Sequence, residues 1–239
     1  VLLNAKKQAK SKSSKASPAP SHGEPSQGQL DGLIALLNQR RLKEVVQQAT
    51  AMAAEFPNAA ILDNILGAAH MGLRNLDGAI ASFSKAVQIR PGFAPAHNNL
   101  GVALKDKGRL PEAVASFSKA VQLKPDFAEA HNNLGIALKN QGRFKEAVAS
   151  FGKALQLKPG YAEAHNSLGT ALQGQGRLDE AIASYDKALQ IKPDLAEAHN
   201  NRGAALNDQG RFEEAIASFG KALGIKADYL DAYNNLGLA

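Results

Sequence analysis

From Leu30 onward the apolar residues fall at three- and four-residue spacing, as in LDGLIALLNQRRLKEVVQQATAMAAEF. That is the period of an amphipathic helix. The pattern also returns at long range, because Gly67, Gly101, Gly135, Gly169, Gly203 and Gly237 stand 34 residues apart in six successive segments. A 34-residue period belongs to helix-pair repeats, so the chain reads as an array. HNNLGVALKDKGRLPEAVASFSKAVQLKPDF is followed by HNNLGIALKNQGRFKEAVASFGKALQLKPGY and then by HNSLGTALQGQGRLDEAIASYDKALQIKPDL. Between Ala94 and Phe127 the spacing predicts a helix A over about APAHNNLGVALKDK, broken by Gly108, and a helix B over about RLPEAVASFSKAVQL, stopped by Pro125. Small residues stand where the two backbones approach: Gly101 and Ala103 on A, Ala113 and Ala120 on B. Leu100, Leu104, Leu110, Val114, Phe117 and Val121 fill the space between.

The expected fold is all-α, a right-handed superhelical solenoid of about six antiparallel helix pairs and one terminal helix. Residues 1–25 read as a disordered basic Lys/Ser/Pro tail. A diverged first unit at 26–59 keeps Pro57 and Val45 in register with Pro91 and Ala79 but lacks the glycine. Full units follow at 60–93, 94–127, 128–161, 162–195 and 196–229, and a helix-A fragment at 230–239 stops partway through a unit. Arg74 takes the place of the glycine between helices, and Ala227 that of a proline. Arg202 replaces a helix-A leucine, which puts the packing around it in question.

Composition changes this picture little. With 44% hydrophobic residues in 239 the chain can bury a sizeable core, distributed between neighbouring units. It has no cysteine, which excludes disulfides, zinc–thiolate clusters and a thiol nucleophile. No run approaches the roughly 18 apolar residues of a membrane span, and no secretory signal is visible, so a cytoplasmic location is expected. The net charge of +6 is uneven: residues 1–29 carry Lys6, Lys7, Lys10, Lys12 and Lys15 against Glu24, and the remainder holds only +2. A nearly neutral array with few aromatics lacks the basic stripe and stacking platforms of a nucleic-acid binder. The tail is a plain linker or, alternatively, an electrostatic tether to an acidic partner or membrane surface.

The recurring residues resemble the tetratricopeptide repeat, which places a large residue, Leu-Gly, a large residue, Ala, an aromatic, Ala and Pro at fixed offsets. In the unit from Ala94 these are His97, Leu100, Gly101, Leu104, Ala113, Phe117, Ala120 and Pro125. The units from Ala128 and Ala162 match likewise, and the unit from Ala60 has Asp63 and His70 at the large positions. The resemblance covers residues 26–239. It is similar in particular to bacterial arrays that precede glycosyl-, sulfo- or methyltransferase domains, and to the repeat arm of O-linked N-acetylglucosamine transferase.

Several motifs imitate sites. His97, His131, His165 and His199 recur at the unit period, but equivalent positions in stacked helices lie on the order of 10 Å apart, too far for one metal. They are expected to pack where the family has an aromatic, with no metal and no cofactor. S-x-x-K strings at Ser82, Ser116, Ser150, Ser184 and Ser218 are read as a solvated helix face, and no enzymatic activity is expected. Glu112, Glu146, Glu180 and Glu214 sit near helix-B starts, where the helix dipole favours a carboxylate.

The asparagines are the best candidates. Asn98/Asn99, Asn132/Asn133, Asn200/Asn201 and Asn234/Asn235 recur as pairs, and Asn166 is followed by Ser167. Asparagine is a mediocre helix former, so its recurrence asks for another reason. The resemblance implies that the second of each pair faces a concave groove and forms a ladder to the backbone of an extended peptide, over Asn99, Asn133, Asn201 and Asn235, with a gap at Ser167. The other reading is that these amides tie one helix A to the next or stay hydrated. Further groove chemistry is expected from Val102, Lys105, Asp106, Ile136, Lys139, Asn140, Thr170, Gln173, Ala204 and Asn207, with Glu129, Glu163 and Glu197 near helix starts, a surface of mixed charge. The lysine and arginine clamp of chaperone-binding arrays is absent from these positions. The expected function is a protein-interaction scaffold that binds an extended peptide or helix of a partner. The alternatives are a substrate-recognition arm of a transferase cut off at Ala239, and self-association through the apolar end at Leu236 and Leu238.

Overall fold

The computed structural model describes residues 23–238, without the side chain of Leu238. All but the last three residues of the expected tail, and Ala239, lie outside the described residues. Among them are thirteen α-helices and no strand. They run in chain order as α1 (Gln27–Asn38), α2 (Leu42–Glu55), α3 (Ala60–Gly72), α4 (Leu76–Ile89), α5 (Ala94–Asp106), α6 (Leu110–Leu123), α7 (Ala128–Asn140), α8 (Phe144–Leu157), α9 (Ala162–Gln173), α10 (Leu178–Ile191), α11 (Ala196–Asp208), α12 (Phe212–Ile225) and α13 (Leu230–Leu238). Odd-numbered helices are the A helices and even-numbered ones the B helices. The helices form two compact units that divide after Pro125. Within each, every A helix packs against its own B helix, the B helix against the next A helix, and successive A helices touch directly.

The reversal from A to B is built into a few residues. Gly108 has φ 81°, and Gly142, Gly176 and Gly210 have φ between 73° and 75°, the left-handed region that glycine enters without steric cost. The Arg109 N–H then reaches back to the Leu104 carbonyl at 2.8 Å, closing the end of α5 in the Schellman manner. Arg40 and Arg74 adopt the same conformation at φ 58° and 59° with a Cβ in place, at a cost of about 1–2 kcal/mol each.

From α4 onward the aromatic of each B helix is fully buried: Phe83, Phe117, Phe151, Tyr185 and Phe219 are at most 1% exposed, and α2 has Ala49 at that position. Each ring lies directly against the recurring glycine on its A helix. A Cβ on Gly135 would stand 2.6 Å from the Phe151 ring, and one on Gly169 would stand 2.5 Å from Tyr185. The glycine is therefore a seat for the ring. The same rings join consecutive pairs, and in the second unit Tyr185 and Phe219 share one cluster with Leu172, Ile182 and Leu206.

Two expectations are corrected by burial. Three of the five S-x-x-K serines are not on a solvated face: Ser82, Ser184 and Ser218 are 8%, 8% and 2% exposed, whereas Ser116 and Ser150 are half-buried. Burial is tolerated because a helical serine can return its hydroxyl to its own backbone, as Ser218 Oγ does to the Glu214 carbonyl at 2.9 Å. Arg202 does not disturb its surroundings either. Its Nε donates to Asp186 Oδ1 at 2.7 Å and its Nη1 to Ser218 Oγ at 2.7 Å, so a second departure from the repeat, Asp186, answers the first.

The histidines pack as expected, with an added bond. Nε2 of His97, His165 and His199 lies 2.9, 3.1 and 3.0 Å from the carbonyls of Pro91, Pro159 and Pro193, which can only accept, so Nε2 carries the proton. Burial holds all three imidazoles below their ordinary pKa, and Lys119, Lys187 and Lys221 respectively add to the effect. Each neutral ring ties the start of an A helix to the turn before it.

Replacing Gly135 by alanine forces its methyl into the Phe151 ring. We expect a loss of about 1–3 kcal/mol in urea denaturation, largely recovered in Gly135→Ala/Phe151→Leu; a neutral Gly135→Ala would show that the ring does not require the glycine.

Candidate peptide-binding face

The paired asparagines lie on the faces of the A helices, and the structure gives their amides definite partners. Asn99 Nδ2 donates to Asn64 Oδ1 at 3.0 Å, Asn201 Nδ2 to Asn166 Oδ1 at 3.1 Å, and Asn235 Nδ2 to Asn200 Oδ1 at 3.0 Å. In each case the second residue of a pair bonds the first asparagine of the preceding A helix. The amides thus tie one A helix to the next. Asn98, Asn99, Asn132, Asn166 and Asn200 are 2–6% exposed, whereas Asn133, Asn201 and Asn235 are half-buried and Asn234 is exposed. Such buried amides are tolerable only when paired.

Within the second unit the row breaks at one place. Ser167 stands where the others have the donating asparagine, and Asn132 Oδ1, which by register would receive it, has no hydrogen-bond partner among the described residues. Asn99 Oδ1 is likewise buried and unpartnered. A serine hydroxyl reaches one bond less far from Cβ than an asparagine Nδ2, which accounts for the missed bond.

Of the other predicted residues, Lys105 is engaged by its neighbour Asp106 at 2.6 Å. Lys139 is half-buried near the end of α7. Gln173 joins a polar network: its Nε2 donates to Asp208 Oδ2 at 2.7 Å and its Oε1 accepts from Tyr185 Oη at 3.0 Å. Tyr185 is the one tyrosine among the five buried ring positions. Burial, together with Glu197 and Asp208 and against the hydrogen bond to Thr170, pushes its phenol up to about 12, so it stays a donor.

In the second unit these residues enclose a depression of about 580 Å³. Phe144 and Gly174 line it with Thr170, Gln173, Ala204, Asn200, Asn201, Asn234, Asn235 and Asp231. Phe144 and Gly174 did not stand out as site residues in the sequence. A Cβ on Gly174 would come within 2.7 Å of the Phe144 ring, so the two fit as seat and ring, as in the core. The signal was available: Asp106, Asn140 and Asp208 occupy the equivalent helix-A position, whereas Gly72 and Gly174 stand there in two units, and a Cβ on Gly72 would come within 2.6 Å of Leu42 in the same way. Among the described residues no three His, Asp or Glu side chains converge so as to hold a metal ion, and no helix is long and apolar enough to cross a membrane.

Family models agree with this architecture. One described as TPR repeat matches residues 67–108 and 103–142, and one described as tetratricopeptide repeat matches 132–196 and 167–229. No curated protein matches. Among solved structures, MamA is 30% identical over 68% of this chain and 95% of its own, with a TM-score of 0.63. YrrB, described as a TPR protein with an unusual peptide-binding site, is 25% identical over 78% and 96%, with a TM-score of 0.65. PilF of Pseudomonas aeruginosa, at 16% identity, shares the fold over 89% and 96% with a TM-score of 0.77.

Ser167→Asn would supply the donor that Asn132 lacks. The expected gain is about 1 kcal/mol in thermal or urea denaturation, and an unchanged or lowered midpoint would mean that the break is not a missing bond.

Proposed function

The chain belongs to the tetratricopeptide repeat family, and from that premise we propose that it is a non-enzymatic scaffold whose A-helix face receives an extended segment or helix of a protein partner. The observation that carries this is the depression in the second unit, with an aromatic at Phe144 and side-chain amides at Gln173, Asn200, Asn201, Asn234 and Asn235. Amides offer both a donor and an acceptor, which suits a peptide main chain irrespective of its side chains. The asparagines would act twice in this reading. Their tie bonds hold neighbouring A helices in register, and the capacity left over, such as the second lone pair of a carbonyl oxygen, meets the ligand. Preorganised this way, the face would bind without the entropic cost of ordering it. YrrB's peptide-binding site supports the reading by likeness alone. Lys105 and Lys139 would contribute at the ends of their A helices. A substrate-recognition arm of a transferase would use the same face.

A photo-crosslinking residue at Thr170 or Ala204, on the A-helix face, should capture a partner in cells, whereas the same residue at the exposed B-helix positions Ala149 and Ala183 should not. Capture confined to the B-helix positions contradicts it.

A further inference from the structure

We propose that the groove between α10 and α12 binds a small aliphatic monocarboxylate, its carboxylate held by Arg202 and Lys221. The groove shares no lining residue with the depression around Phe144 and Gly174.

Three departures from the repeat meet here. Arg202 stands on α11 where α3, α5, α7 and α9 have Leu66, Leu100, Leu134 and Leu168. Asp186 stands on α10 where α4, α6, α8 and α12 have Ser84, Ser118, Gly152 and Gly220. Gly224 stands on α12 where α4, α6, α8 and α10 have Gln88, Gln122, Gln156 and Gln190. The loss of that glutamine frees a lysine. Lys119 Nζ donates to Gln122 Oε1 at 3.2 Å and Lys187 Nζ to Gln190 Oε1 at 3.4 Å, whereas Lys221 has no such amide. Among the described residues its Nζ makes no hydrogen bond and no ion pair. A Cβ on Gly224 would meet nothing within 4 Å, so packing does not require the glycine.

Arg202 and Lys221 line a cavity of about 630 Å³ together with the apolar Leu189, Pro193 and Ile225. That volume suits a small molecule. Arg202 is held in place by its bonds to Asp186 and Ser218, which leave three of the five N–H groups of the guanidinium for a ligand. Binding to a cation already fixed costs little ordering. His199 in the same lining adds no charge: burial, with Lys221 and Arg202 and against the bond to Pro193, holds its imidazole below the ordinary pKa. The charged lining is then Arg202 and Lys221 against Asp186, a net of +1, and the neighbouring Glu214 is taken by Arg211 at 2.7 Å. One unmatched positive charge calls for a monoanion. The aliphatic side chains beside it call for an apolar body.

The repeat itself shows what this lysine position accepts. On α3 Asp63 takes the place of the recurring histidine, and Lys85, the equivalent of Lys221, lies 3.1 Å from its Oδ1. In the α11–α12 pair His199 stands in that place, so the carboxylate comes from a ligand. Because Lys221 is exposed, the attraction should weaken with salt.

Calorimetric titration of the full chain with octanoate tests the proposal, with octanamide as the uncharged control of the same body. Octanoate should bind, and octanamide about tenfold more weakly; Lys221→Gln should cost octanoate about tenfold, and so should Asp186→Ser/Arg202→Leu, which restores residues that other units carry. Gly224→Gln separates binding from stability. It returns an amide partner to Lys221 and improves the helix, so the melting temperature should rise while the affinity falls about twofold to threefold. Equal affinity for octanamide, or unchanged affinity in either Lys221→Gln or Asp186→Ser/Arg202→Leu with cooperative melting retained, overturns the proposal. An acetylated tripeptide ending in leucine presents the same chemistry from a chain end. If it binds and octanoate does not, the small-molecule occupant is wrong and the proposal falls.

Discussion

The array from α3 onward depends on one close contact: an aromatic ring on each of five B helices resting on the bare backbone of a glycine on its A helix. The contact admits no Cβ, since a methyl on Gly67, Gly101, Gly135, Gly169 or Gly203 would enter the ring at 2.5–2.7 Å. It brings the two backbones of a pair close enough for alanines such as Ala103, Ala113 and Ala120 to complete the interface with no exposed area. Dispersion contacts are weak singly and fall off quickly with distance, so a seated ring gains much more than a ring held off by a methyl. The turn after each A helix then has one task, reversal within a few residues, which the left-handed glycines perform.

Packed pairs leave the A helices side by side, and that placement creates the candidate face. The asparagines are the second device. Each contributes an amide to a row that runs from one A helix to the next, so the residues with the most hydrogen-bonding capacity also fix the spacing of the surface they line. Fixing and binding are compatible because an amide has more lone pairs and protons than one tie consumes. The break at Ser167 and the oxygen of Asn132 mark where the row is incomplete.

Much of the fold was legible because the repeat period is a ruler. It located the helices, the turns, the ring and its glycine, and it reduced the recurring histidines to scaffold. The site was less legible, for a geometric reason. The asparagine bonds connect residues 35 apart, one more than the 34-residue period, so comparing equivalent positions sets the donors beside one another and hides their acceptors. Arg202 looked like a packing fault because its answer, Asp186, sits on the preceding B helix, and only two departures considered as a pair reveal the ion pair.

The most direct measurement of the central claim is urea denaturation of five chains, each with one of Gly67, Gly101, Gly135, Gly169 and Gly203 replaced by alanine, beside a chain with the same change at Gly152, where a Cβ meets nothing within 4 Å. Each of the five should lose about 1–3 kcal/mol and Gly152→Ala should lose nothing. Equal effects at the ring glycines and at Gly152 would contradict the claim.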